Sequence, residues 1–241
     1  MNSLILCEGA TDAILLSYYL KKVSGWTYTA KAPDGLNIRS TRGNESVNWY
    51  KRGNDYLLIC GVGGKDNFTS FFHQSLENPI IHAGAFEKIA VITDRDQRET
   101  AAIEQSAVSA FGGLFPDVED RCWILNKSSD AFDMEKDREI LLLIIPEAHE
   151  GALETVMLDA ISEDEYDKNI VDLCKSFVAN MRSEASRYIS SGRLQLKAEL
   201  GVTWAIQYPE KVFSLINEVI QEVPWETFET LRECFKPLEE I

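Results

Sequence analysis

The chain has 241 residues, 45% of them hydrophobic, enough to bury a sizeable core as one domain or as one domain with a helical annex. Its 39 acidic against 24 basic residues leave a formal charge of -15, which excludes a protein that coats nucleic acid through bulk electrostatics, so any such contact must be local. Five widely spaced cysteines without a Cys-x-x-Cys pair, and three histidines, read as free thiols and not as a zinc site.

The first element is Ser3-Leu4-Ile5-Leu6-Cys7, a short apolar run of the kind buried on both faces of a parallel sheet, and it delivers Glu8 at its end. Gly9 breaks the strand, and Thr11 or Asp12 can cap a helix whose apolar face runs from Ala13 to Val23. The start has no charged n-region, so it reads as a strand and not as a signal peptide. The longest apolar run, 140–145, falls far short of the ~20 residues that a membrane span needs. A cytoplasmic protein is expected.

Residues 24–55 are rich in Gly, Asn, Ser and Thr and lack helical periodicity, which predicts a long loop or a β-hairpin excursion. Lys31, Arg39, Arg42, Lys51 and Arg52 stand against Asp34, Glu45 and Asp55, interleaved with Trp26, Tyr28, Trp49 and Tyr50. A solvated insertion and a nucleic-acid or partner contact are both compatible with that pattern. Residues 56–60 form the next strand and lead into Gly61-Val62-Gly63-Gly64-Lys65. Gly63, Gly64 and Lys65 either make a tight strand-to-helix turn or bring backbone and charge close to a phosphate; the spacing matches neither a Walker loop nor a dinucleotide fingerprint. A helix through Phe68, Phe71 and Phe72 follows, ended or interrupted at Pro79.

Residues 88–93 form a third buried strand that delivers Asp94-Arg95-Asp96, two acids that point the same way if strand geometry persists. A helix is predicted over 99–111, then a turn at Gly112-Gly113, an edge strand over 122–125 and a polar connector containing Ser128, Ser129 and Asp130. Residues 139–145 are the last strongly apolar strand, and a helix is expected from the Glu147 region onward, so that Glu150 and Glu154, four apart, share its face. Beyond Ser162 only helical spacing remains, over 164–188, 194–208, 212–223 and 225–237. The expected organisation is an α/β domain over 1–160 with a mostly parallel sheet flanked by helices, followed by a helical annex over 161–241.

Glu8, Asp94, Asp96, Glu150 and Glu154 are thereby expected at one edge of the sheet, where open α/β sheets bind ligands. An oxygen-only acidic cluster suits Mg²⁺ or Mn²⁺ and implies phosphoryl transfer. At these residues the chain resembles the TOPRIM family, the catalytic domain of topoisomerases, DnaG-type primases and OLD-family nucleases. Cys7-Glu8-Gly9-Ala10-Thr11-Asp12 matches its Glu-Gly after strand one, and Thr93-Asp94-Arg95-Asp96 its later Asp-x-Asp. Asp12 and Leu153-Glu154 fit the acids that the OLD-type branch and its small stand-alone relatives add, whereas Gln97-Arg98-Glu99 stands where topoisomerases and primases place a glycine. The resemblance implies one or two Mg²⁺ or Mn²⁺ ions on Glu8, Asp12, Asp94, Asp96, Glu150 and Glu154. It implies Glu8, Asp94 and Asp96 as catalytic carboxylates, Glu8 as metal ligand or general base and the Asp pair as metal ligands, and Lys197 in Arg193-Leu194-Gln195-Leu196-Lys197 as a basic residue that assists the transition state. The expected activity is that of a DNA or RNA nuclease. The alternative is a non-catalytic TOPRIM-fold subunit that acts with a partner such as an ATPase, the domain that full OLD proteins carry.

Overall fold

The structure, a computed structural model, describes residues 1–82, 84–111, 115–129, 135–211, 213–214 and 216–241. Its elements in order are β1 (Asn2–Cys7), α1 (Ala10–Ser24), β2 (Thr27–Thr29), β3 (Ser46–Arg52), β4 (Asp55–Gly61), α2 (Phe68–Phe71), β5 (Lys88–Asp94), α3 (Thr100–Ala110), β6 (Trp123–Ser129), β7 (Glu135–Ile145), α4 (Leu153–Ile161), α5 (Glu165–Met181), α6 (Gly192–Gln207), α7 (Ile216–Glu222) and α8 (Glu229–Phe235). The strands form one mixed sheet of seven in the order β2-β3-β4-β1-β5-β7-β6. β1 lies in parallel register between β4 and β5, with Leu6 opposite Cys60 and Val91. β7 runs the same way as β5: the Glu139 N–H donates to the Glu87 carbonyl at 2.9 Å near one end, and the Arg95 N–H to the Ile145 carbonyl at 2.7 Å near the other. Antiparallel strands complete both edges, β2 and β3 on one side and β6 on the other.

The chain divides into two compact units, one comprising Met1–Thr93, Arg98–Ile144 and Pro237–Ile241, the other Asp94–Gln97 and Ile145–Lys236. The division falls earlier than the expected boundary at 160, so α4 belongs with the helices that follow it. In the first unit, one sheet face buries Leu4, Leu6, Leu58, Ile89, Val91 and Leu142 against the phenylalanines of residues 68–115. The period of two in β1 and β4 puts Ile5, Leu57 and Ile59 on the other face, and α1 packs against β4. In the second unit α4 is the central helix, buried on nearly every side and packed by α5, α6 and α8.

Several element limits differ from the sequence pattern, each for a local reason. The insertion is drawn into the sheet as β2 and β3, with Tyr28 opposite Tyr50. Trp26 and Trp49 are core residues, Trp49 stacked on Phe86 at 6.2 Å and Trp26 covered by the Arg52 guanidinium at 4.3 Å. The expected connector at Ser128 and Ser129 is strand, because β6 pairs with β7 as far as Glu135. The helix expected over 225–237 breaks at Phe228, whose backbone is extended, and α8 starts afresh on a cap from elsewhere: Glu163 accepts the Glu229 and Thr230 amides at 3.0 and 2.7 Å. The Gly112-Gly113 turn, Asp130 of the connector and Val212 lie outside the described residues. Among the described residues no helix is long and apolar enough to cross a membrane.

Two predictions come from this packing. A Cβ on Gly61 would stand 2.5 Å from the Gly9 carbonyl oxygen, whereas one on Gly201 meets nothing within 4 Å. Gly61→Ala should therefore cost about 1–3 kcal/mol, lowering Tm by roughly 2–4 °C per kcal/mol, and Gly201→Ala should be neutral or stabilising; thermal melts of the pair measure the difference. At Glu163 desolvation pushes the carboxyl pKa up, but the Thr230 and Glu229 hydrogen bonds and nearby Arg232 outweigh it and hold the pKa below 4.5. A depressed carboxylate stabilises above its unfolded pKa and loses that contribution as pH falls through the folded value. Melts against pH should show Glu163→Gln destabilised by no more than about 1 kcal/mol at neutral pH, since solvent screens the exposed carboxylate, with the gap to wild type closing in acid.

Candidate functional site

In the first unit β1 ends at Cys7, and the next side chain, Glu8, is 0% exposed. Isolating a carboxylate from water is costly unless hydrogen bonds compensate, and here the Thr93 hydroxyl donates to Glu8 Oε1 at 2.9 Å. The Glu8 backbone is held as well: its carbonyl accepts the Gly64 N–H at 2.7 Å. The glycine turn thus exists to close tightly on the end of β1, with φ of 79° at Gly63 and 125° at Gly64, values that favour glycine. The Gly64 amide is spent on that closure. Asp12 returns one carboxylate oxygen to the Gly9 N–H at 3.1 Å and so fastens the start of α1. In the insertion, Arg42 bonds Asn67 at 2.9 Å, Lys51 lies over the Tyr56 ring and Arg52 over Trp26, while Lys31 and Arg39 are exposed.

In the second unit the other acids gather around α4 and α6. Asp94 is 2% exposed, accepts the Leu153 N–H at the start of α4 on Oδ1 at 3.0 Å, and faces the Arg193 guanidinium with Oδ2 at 3.3 Å. The start of α4 and the guanidinium both bring positive potential to that spot. Glu154, whose side chain is 9% exposed, pairs with Lys197 at 2.8 Å. Arg193 and Lys197 sit four apart on α6, so one helix face presents two cations to two buried carboxylates. The Lys197 contact involves a residue that the sequence singled out. Arg193 was missed: it occurs in the same quoted stretch, but its partner lies 99 positions away and only the i, i+4 spacing hints at a shared role.

Asp96 does not follow the expectation for alternate strand residues. β5 ends at Asp94, and Asp96 has φ 53°, so strand geometry does not persist and the two acids do not simply align. The segment is fixed instead by bonds to residues 145–151. Asp96 and Gly151 exchange N–H···O bonds of 2.7 and 3.0 Å, and the Arg95 guanidinium donates to the Pro146 and Glu147 carbonyls. The helix after β7 starts at Leu153 and not before, so Glu150 is an exposed loop residue, not a neighbour of Glu154 on one helical face. Asp96 and Glu150 line a cleft of about 550 Å³ together with Arg182, Arg193, Gln195 and Glu199.

The acids offer oxygen donors only, which suits Mg²⁺ or Mn²⁺. Among the described residues no group of three or more His, Cys, Asp or Glu side chains is arranged to hold a metal ion. Asp94 and Glu154 nevertheless each hold a cation already, and the side chains of those cations are 38% and 48% exposed. The acids are buried while their cations reach solvent, so a divalent ion that replaced a side-chain cation would have to match the buried charge in its turn.

The fold and these acids define an α/β protein with a helical second unit. The chain belongs to the family described as "Protein of unknown function (DUF3226)", whose model matches residues 2–213. No curated protein matches it. Among solved structures it is similar to the crystal structure of a hypothetical protein from Pyrococcus horikoshii OT3, at 17% identity and a TM-score of 0.45, over 91% of this chain and 95% of that one.

Removing the guanidinium should weaken the support of the Asp94 charge. Arg193→Ala is expected to lower stability by about 1–3 kcal/mol, since a buried acceptor loses one of its partners, whereas Arg182→Ala, on the exposed rim of the cleft, should change it by no more than about 0.5 kcal/mol. Urea denaturation of both variants decides between them; equal midpoints would remove Arg193 from the support of Asp94.

Proposed function

We propose that this is a Mg²⁺- or Mn²⁺-dependent phosphoryl-transfer protein of TOPRIM type, a nuclease of DNA or RNA working in the cytoplasm. The supporting observation is the pair of carboxylates that end neighbouring parallel strands, Glu8 after β1 and Asp94 in β5, each withdrawn from water and oriented by a directed hydrogen bond. Burial at that cost, away from the hydrophobic core, marks functional groups more often than structural ones. In this proposal the family resemblance assigns Glu8, Asp94, Asp96 and Glu154 as the acids that would hold the ion, which would supply charge stabilisation to the phosphodiester. The residues of the chain supply the rest. Thr93 fixes the Glu8 carboxylate, the Leu153 amide fixes Asp94, and Arg193 and Lys197, released from their acids, draw the phosphodiester anion in. Lys31 and Arg39 of the insertion offer a local contact for the strand despite the acidic chain.

A second reading has its own support. With Arg193 and Lys197 seated on Asp94 and Glu154 the acids are already neutralised, as suits a TOPRIM-fold regulatory subunit that acts only with a protein partner. Nicking of supercoiled and single-stranded DNA, and cleavage of RNA, in Mg²⁺, Mn²⁺ or chelator separates the two. Glu8→Gln and Asp94→Asn should each reduce cleavage by at least about a hundredfold, a loss of roughly 2.7 kcal/mol of transition-state stabilisation, in variants that circular dichroism shows to be folded. Activity that survives both substitutions sinks the nuclease; no cleavage of any substrate, despite metal-dependent stabilisation of the wild type, favours the regulatory subunit.

A further inference from the structure

The first unit contains a cavity of about 370 Å³ that shares only Thr93 with the residues named for the proposed phosphoryl transfer. Its wall is apolar and partly aromatic, built from Phe68, Val91, Ile103, Phe111 and Leu142. The Phe111 ring is held in place by an edge contact with Phe72 at 5.2 Å and a tilted contact with Phe115 at 5.6 Å, so this wall is formed in advance of any ligand. Two cationic residues, Lys65 from the glycine turn and Arg98 near the end of the β5–α3 connection, line the same space together with Thr69, Thr93 and Ser106; the Thr93 and Ser106 hydroxyls donate to Glu8 and the Ala102 carbonyl, which leaves both as acceptors. Asp66 completes the lining and offers an acceptor.

These three kinds of lining describe a ligand. A flat apolar body fits between the phenylalanines, hydrogen-bonding edges meet the hydroxyls and Asp66, and an anionic end meets Lys65 and Arg98. We propose that the cavity binds a nucleoside monophosphate, its base against Phe68 and Phe111 and its phosphate at Lys65 and Arg98. The volume lies at the lower end of the range of about 300–1,000 Å³ for small-molecule sites, room for one nucleotide and not for a run of them. In a chain of net charge -15, two cations converging on one apolar hollow single out an anion against the general field of the protein. The strand-to-helix glycine turn thereby gains a purpose: closing on Glu8, it sets Lys65 at the cavity.

Titration calorimetry of the full chain with AMP, in chelator and without nucleic acid, tests the site independently of any cleavage. Lys65→Ala and Arg98→Ala should each weaken AMP binding by about tenfold or more, close to 1.4 kcal/mol. Ala107→Phe, which fills the cavity from α3, should abolish it, with Ala110→Leu as the milder filler should the first variant not fold; circular dichroism and melting report the fold. Orthophosphate should bind far more weakly than AMP. The proposal is overturned if AMP, GMP, CMP and UMP all fail to bind at millimolar concentration, if orthophosphate matches AMP, or if a folded cavity-filling variant keeps wild-type affinity. A short oligonucleotide that binds as tightly as AMP would assign the cavity to a strand of nucleic acid and likewise overturn the mononucleotide.

Discussion

A carboxylate withdrawn from water dictates where its neighbours must be, and Asp94 does so for the second unit. Its two oxygens are spoken for by different elements, the first amide of α4 and the guanidinium on α6. α4 is the helix on which α5, α6 and α8 pack, so the group that orients its start also orients the frame around it. The gain from each hydrogen bond is modest, but the penalty for leaving a buried charge unmatched is several times larger, and this asymmetry makes the arrangement specific. Glu8 is governed by the same rule in the first unit, where the Thr93 hydroxyl donates to it.

Asp94 and Glu154 each meet a cation carried by α6, so the charge that these two acids present depends on whether α6 keeps its arginine and lysine engaged.

Much of this was legible in the sequence, because buried parallel strands announce themselves as short apolar runs and the residue that ends such a run falls at the ligand-binding edge. Glu8 and Asp94 were found in that way, as was the mixed α/β sheet. What local pattern could not supply were pairings over long separations. Arg193 meets Asp94 across 99 positions, and nothing near Arg193 encodes that. Trp26 and Trp49 read as surface aromatics in a polar insertion, yet β-pairing carries them into the core, where tertiary burial overrides local composition. Glu150 and Glu154 shared a helical face only while the helix was assumed to start early. Its true start at Leu153 is set by Asp94, a residue 59 positions before it.

The backbone at Asp96 bears on how such a protein can change over generations. A φ of 53° is comfortable for glycine, asparagine and aspartate and for few other residues. The bonds that pin this position to Gly151 are made by backbone atoms, so they are indifferent to the side chain. A lineage can therefore trade the acid for its amide in one substitution and trade it back in another, with the loop intact throughout. The acidic count of the cleft is an easily reversed trait, while the shape that frames it is inherited with the backbone.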